Sequence, residues 1–576
     1  MKINECFPFK EYKKGQKEII DELQTNLYTK KYFILENPPG SGKSAIAYSW
    51  GTALYHNKHS AYLSGRLTGE EFRIYNSQKG PKVLILTANK NLQMQYSRDF
   101  KIPTIWSSKD YDCAFFEKEA DVHYNGPFCL LDACPKYDKC EYLKAKYIFN
   151  DSNIGVTNYH YYLTYSHLTP IFLICDEAHN IEKILEDINS FELDFNSMQR
   201  LIEQIKKVIP HPIKKIGFPL AIRKLMEKVY SHKEEDLDKI IISELLNVIP
   251  IIQKQIEALN EVKDAIKITK INKKKKNNNN NDKEVLVDDY KNSLKNKIMR
   301  LIIRLENITK KIGQIHDVAR EEKIIVSKKD SSFSIKPIIN LKNTKSKLKS
   351  QIIEKILFMS ATIGKEFIET MNIPEDKTIY LRGGNNIPKE NRKFYFIPKY
   401  KFVYQNKDHA IEMATKCIDN ILDKVICNGK LQKKGIIHSV SYANAEYILK
   451  NSKYSNFLII PNTQQLRNIR ETMQDDIILV SPIMLEGLDL PYDLSRFQIF
   501  IKVPFLNLQD RWTKTKAELY PKWYLRSAAI SIVQGSGRSI RHEDDSATTF
   551  MFDSNFGRLK EFLPEWFKET IITIKK

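Results

Sequence analysis

The sequence predicts an α/β chain: two domains, each a parallel sheet covered by helices, separated by a long helical insertion. Three observations carry this. Short apolar runs bounded by polar or turn residues occur in two series, one early and one late. A glycine-rich turn joins the first run to a helix. Between the two series the apolar spacing changes to three and four residues.

The first run, Tyr32 to Leu35, leads through the turn into a helix from Ser44, a strand–loop–helix unit. Val83 to Leu86 and Ile171 to Cys175 follow. Brief continuous apolar runs are what parallel strands buried on both faces require. From Phe191 to Lys349 the texture is helical, with Ile298, Leu301, Ile302, Leu305, Ile308 and Ile312 on one stripe, which ordinary helix packing explains. Inside it, Lys273 to Asp282 reads KKKKNNNNND, a low-complexity, solvated loop. After Ile356 to Met359 a second series appears: Gly435 to Ile437, Phe457 to Ile460, Ile477 to Val480, Gln498 to Val503 and Thr548 to Phe552.

A chain of 576 residues is too long for one core, and a prior of one domain per ~150 residues suggests about four structural units. Lys and Arg total 91 against 70 Asp and Glu, a surplus of 21 that favours a polyanionic partner through counterion release. Nucleic acid is the leading candidate, although a generally lysine-rich proteome could supply such a surplus. The opening MKINECFPFKEYKKGQ has no apolar signal core and no run approaches a membrane span, so neither secretion nor membrane insertion is expected.

Asn37-Pro-Pro-Gly-Ser-Gly-Lys-Ser44 follows its strand directly, the context that makes a phosphate loop. Gly40 and Gly42 let backbone amides approach phosphate oxygens, and Pro39 and Ser41 complete the loop. Lys43 is expected on the β- and γ-phosphates of ATP and the Ser44 hydroxyl on Mg²⁺. Asn37 stands where the strict pattern has glycine, and asparagine tolerates the left-handed backbone that place suggests. Asp176-Glu177-Ala178-His179 closes the Ile171 to Cys175 run, at the strand end where such sheets bind ligands. Asp176 is expected to hold Mg²⁺, and Glu177 to orient and deprotonate the attacking water.

Together with Ser360-Ala361-Thr362, Glu486-Gly487-Leu488-Asp489 and Gln534-Gly-Ser-Gly-Arg-Ser-Ile-Arg541-His542, these segments resemble the ordered motifs of the XPD/DinG-type superfamily 2 helicases, over nearly the whole chain. The last is the most specific, since Gln534, Gly537, Arg538 and Arg541 match that family's QxxGRxxR pattern. The resemblance implies two RecA-like motor domains with an iron–sulfur insertion and a helical Arch insertion. It divides the chain into motor domain 1 (1–104, 149–190 and 350–392), the iron–sulfur domain (105–148), the Arch (191–349) and motor domain 2 (393–576). It also implies that Arg538 and Arg541 act as arginine fingers beside Gln534, that Gln16 reads the adenine, and that Gly487 and Asp489 belong to the nucleotide site.

Cys113, Cys129, Cys134 and Cys140 are separated by 15, 4 and 5 residues. Four thiolates hold either a 4Fe–4S cluster or Zn²⁺, and spacing does not choose between them. The resemblance places a 4Fe–4S cluster in this interval. Tyr111, Phe115, Phe128, Tyr137 and Tyr142, interleaved with Lys136, Lys139 and Lys144, either stack on a splayed strand or pack the small domain around its metal. Cys6, Cys175, Cys417 and Cys427 read as buried small hydrophobes.

The same resemblance implies an ATP-dependent DNA helicase serving DNA repair, expected to move 5′ to 3′ on single-stranded DNA and to act on forked duplex. Thr87, Asn89 and Gln93 then face DNA, while Ser360 and Thr362 couple hydrolysis to movement or simply cap a turn. Its place would be the cytoplasmic nucleoid in a prokaryote or the nucleus in a eukaryote. An RNA helicase, or an ATPase switch subunit of a repair or transcription assembly, are the rival readings.

Overall fold

The computed structural model describes residues 1–112, 139–165, 167–208, 217–266, 281–339, 348, 350–482, 490–540 and 543–574, with the backbone alone at 109, 165, 281–293, 463 and 467. Cys113, Cys129, Cys134, Gly487, Asp489 and Arg541 lie outside the described residues, as does the low-complexity stretch up to Asn280. The chain forms two compact units. One comprises Met1–Trp106, Ala145–Asn180 and Ser346–Lys576; the other comprises Ser107–Lys144 and Ile181–Lys345.

The first unit holds two parallel sheets. In one, β1 (Tyr32–Glu36), β2 (Val83–Thr87), β3 (Ile154–Asn158), β4 (Phe172–Asp176), β8 (Lys355–Ser360) and β9 (Thr378–Arg382) run in the order β3-β2-β4-β8-β1-β9. The register pairs Glu36 with Ser360 and Asp176 with Met359, so the C-terminal ends of β1, β8 and β4 lie side by side. The core beneath includes Phe33, Ile46, Trp50, Ile85, Ile174 and Leu357. Each such fully buried side chain contributes about 1.5–3 kcal/mol. Trp50, on the helix Lys43–Leu63, meets Phe33 edge-on at 5.4 Å and holds that helix to the sheet.

The other sheet comprises β10 (Phe394–Tyr400), β13 (Gly435–His438), β14 (Leu458–Ile459), β15 (Ile478–Ser481), β16 (Phe497–Phe500), β17 (Thr548–Asp553) and β18 (Ile571–Thr573), in the order β14-β15-β13-β16-β17-β10-β18. A separate two-residue hairpin, β11 (Ile426–Cys427) and β12 (Lys430–Leu431), leaves Cys427 exposed, correcting its reading as a buried hydrophobe. Cys6, Cys175 and Cys417 are buried as expected.

The second unit carries the helices Phe195–Val208, Phe218–Ser231, Glu234–Ala265 and Asn281–Ala319, with Ile298, Leu301, Ile302, Leu305 and Ile312 in its core. It is not purely helical. β5 (Phe191–Asp194), β6 (Lys323–Lys329) and β7 (Ser332–Ile338) form an antiparallel sheet in the order β5-β7-β6. Its hairpin has a local cause: Phe333 and Ile335 alternate with polar residues, the period of a half-buried strand. Tyr111 and Tyr142 meet at 5.5 Å, and Tyr142 is buried, so this pair packs. No helix among the described residues is long and apolar enough to cross a membrane.

His438, at the end of β13, is wholly buried, stacks on Phe500 at 4.3 Å and donates from Nε2 to Gln498 Oε1 at 2.8 Å. Its tautomer follows from that bond, because Gln498 Nε2 in turn donates to the Ser536 carbonyl. Burial, opposed by the Gln498 bond and reinforced by the Arg538 charge, pulls its pKa down to about 4. The unfolded imidazole, near 6.5, therefore takes its proton first. Stability is complete above that value and falls as the pH drops toward 4, by up to about 3 kcal/mol. Thermal unfolding followed across this window should show a shallower acid loss in His438→Gln than in the natural chain; equal slopes would contradict the assignment.

Candidate nucleotide-binding and hydrolysis site

The phosphate loop leaves β1 at Glu36 and enters the helix Lys43–Leu63 through Gly42. Gly40 (φ 75°) and Gly42 (φ 78°) take the left-handed conformation that favours glycine. Asn37 does not, so its tolerance of that conformation is not what the position uses; it is buried, and its amide donates to the Ser360 carbonyl at 3.0 Å. Lys43 Nζ donates to the carbonyls of Asn37 (2.9 Å) and Pro38 (3.1 Å), which poises it over the loop. Ser41 is buried with its hydroxyl on the Pro38 carbonyl, and Pro39 faces the second sheet.

Gln16 braces this loop from the side. Its Nε2 donates to the Gly42 carbonyl at 3.1 Å and its Oε1 accepts from the Lys13 amide at 2.7 Å, while Lys13 Nζ reaches the Gly40 carbonyl. A Cβ at Gly42 would lie 2.1 Å from Gln16 Nε2. The side chain expected to read an adenine is here engaged with the protein backbone and buried.

Asp176 ends β4 and is 3% exposed. Its Oδ2 accepts from the Tyr96 hydroxyl and its Oδ1 from the Glu177 amide, both at 2.9 Å, and Tyr159 donates to its carbonyl at 2.9 Å. Burial and the neighbouring Glu177 raise its pKa, against the pull of Lys43 and Tyr96. Glu177 sits at φ 52°, a conformation that costs a non-glycine residue about 1–3 kcal/mol and clusters at functional sites. Burial pushes its carboxyl up, but His179, Lys43 and Arg538 outweigh that and hold it low.

His179 joins the two sheets. Its Nδ1 lies 2.7 Å from Ser360 Oγ and 3.3 Å from Glu177 Oε2, and its Nε2 lies 2.7 Å from Gln534 Nε2. With Gln534 donating, the imidazole proton sits on Nδ1 and faces Ser360 and Glu177. Gln534 belongs to the helix Pro521–Ser536 of the second sheet's domain. Gly537 just beyond it approaches Pro39, and Arg538 is close enough for its charge to act on Glu177. A further link is the Trp566 indole, which donates to the Ala361 carbonyl at 3.1 Å. Thr362 donates its amide to Ser360 Oγ, a local turn contact.

Of the residues expected to face DNA, Thr87 and Gln93 are fully buried. Thr87 Oγ1 donates to the Asn89 carbonyl, and Gln93 Nε2 to Thr104 Oγ1 and the Ile105 carbonyl. Only Asn89 is exposed, and it caps the helix Lys90–Phe100 through the Leu92 amide. Cys140 is half-buried just before the helix Glu141–Asp151. Sequence reasoning missed Tyr96, Tyr159 and Trp566, whose only signal was an aromatic residue within or near a motif.

The family described as Helicase C-terminal domain matches residues 430–570, and the one described as Type III restriction enzyme, res subunit, matches 9–214. The ATP-dependent DNA helicase CHL1 of Debaryomyces hansenii is 24% identical over 70% of this chain; the chain spans 55% of that relative's length. A probable ATP-dependent helicase of Methanocaldococcus jannaschii is 23% identical over 96% of this chain and 93% of its own. A solved XPD helicase shares the fold at a TM-score of 0.57 and 16% identity, covering 99% of this chain and 100% of that one. The two family matches follow one another along the sequence with the motifs in their order, and the fold is that of the solved XPD helicase.

Proposed function

We propose that the chain is an ATP-dependent DNA helicase that moves on single-stranded DNA. The observation that carries this is the bridge from Glu177 and Ser360 through His179 to Gln534, which sets hydrolytic residues of one sheet against a helix of the other. A translocating ATPase needs its transition-state charge met by a domain that can open and close.

Lys43 turns from the loop carbonyls to the β- and γ-phosphates, and the Gly40 to Gly42 amides and helix N-terminus cradle them. Ser44 and Asp176 would hold Mg²⁺, which would supply charge to offset that of the phosphates. The fit is chemical: Asp176 accepts one proton donor on each oxygen and keeps lone pairs for a cation or its water. Glu177, held ionised, takes the proton of the attacking water. Arg538, with Arg541, meets the developing charge, a contribution of ~10³-fold or more. Closing the sheets over ATP and releasing them after hydrolysis alternates the grip on the strand.

The relative in Debaryomyces is an ATP-dependent DNA helicase, which supports DNA as substrate. Asn89, exposed at the head of the helix Lys90–Phe100, would meet the strand's phosphates, and a net charge of +21 favours salt-dependent binding. The four clustered cysteines would hold a 4Fe–4S cluster, and the enzyme would move 5′ to 3′ in DNA repair.

Anaerobically purified protein should unwind a duplex with a 5′ tail and not one with a 3′ tail, and Lys43→Ala should abolish this. Unwinding of the 3′-tailed duplex alone would overturn the polarity, stimulation by RNA alone would overturn the substrate, and no unwinding of either duplex would overturn the helicase reading. The same preparation should contain about four iron atoms per chain, lost in Cys134→Ser; a single zinc would overturn the cluster assignment.

A further inference from the structure

We propose that Tyr96 is a positioning residue that orients Asp176, the carboxylate placed to hold Mg²⁺, from the helix that starts at the exposed Asn89. This rests on the nucleotide-site reading above.

Tyr96 is completely buried, and its hydroxyl donates to Asp176 Oδ2 at 2.9 Å. A phenol has one proton, and here it goes to an acceptor-only carboxylate. The bond fixes the rotation of the Asp176 carboxylate and leaves its other lone pairs for a cation.

The helix Lys90–Phe100 is tied to the site a second time. Phe100, four residues after Tyr96 and so on the same helix face, stacks on Tyr48 of the phosphate-loop helix at 4.9 Å with ring planes 12° apart. Tyr96 packs against Phe100 at 5.8 Å. One face of one helix thus contacts the helix carrying Ser44 and the strand end carrying Asp176. Packing alone would be served by phenylalanine; a buried hydroxyl is kept where it is paired.

Tyr96→Phe removes the hydroxyl and keeps the ring. Mn²⁺ titrated into the protein–ATP complex and followed by electron paramagnetic resonance should bind about 10-fold more weakly or worse, the usual cost of losing such an outer-shell partner. The Mg²⁺ needed for half-maximal ATP turnover should rise in step, with the maximal rate recovered at saturating Mg²⁺. Phe100→Leu, which disturbs the same packing but leaves the hydroxyl, should keep Mn²⁺ affinity. Equal Mn²⁺ affinity in Tyr96→Phe and the natural chain would overturn the role of Tyr96 alone. An equal loss in Phe100→Leu would overturn it in favour of packing. Absence of Mn²⁺ binding in the natural chain would instead overturn the metal site itself.

Discussion

Two adjacent carboxylates, Asp176 and Glu177, are carried to the end of a fully buried strand, and the rest of the site follows from what that demands. At an effective dielectric of ~20 two like charges ~4 Å apart repel by about 4 kcal/mol, and burial adds a desolvation cost to each. The structure meets the cost unevenly. The Lys43 charge acts on both; beyond it, Asp176 receives the neutral donors of Tyr96 and the Glu177 amide, whereas Glu177 receives His179 and the charge of Arg538. One carboxylate is thereby left suited to a cation and the other to a proton. Environments that push neighbouring groups apart in this way are how a site divides roles between like residues.

The same demand links the sheets. Glu177 is paired with His179, and His179 spends its other nitrogen on Gln534, so the ionised state of Glu177 is coupled to the position of the second sheet. Around this bridge the contacts among the described residues include Gly537 near Pro39 and the Trp566 indole on Ala361. A handful of hydrogen bonds worth about 0.5–1.5 kcal/mol each can be made and broken within one ATP cycle. A continuous apolar core between the sheets could not.

What could be read from the sequence was what is local. The phosphate loop, the strand that precedes it and Asp176 at the end of another strand are set by a few consecutive residues, and the structure has them where expected. What could not be read was partnership across the chain. Gln16 resembles an adenine reader, yet Gly42, 26 residues on, takes its amide. Thr87 and Gln93 lie in a segment that resembles a DNA-facing one, yet their own side chains turn inward. Tyr96 and Asp176 are 80 residues apart, and His179 and Gln534 are 355 apart. The sheet in the insertion was missed for another reason: the strong helical period that precedes it masked the short alternation at Ser332–Lys336.

The coupling of the two sheets through His179 and Gln534 can be tested directly by a double-mutant cycle on ATP turnover in the presence of single-stranded DNA. If the pair acts as one unit, His179→Ala, Gln534→Ala and the double variant should lose comparable rate, with a coupling of about 0.5–3 kcal/mol between the sites. Losses that simply add would mean that the two residues act independently and that the bridge does not link hydrolysis to the second sheet.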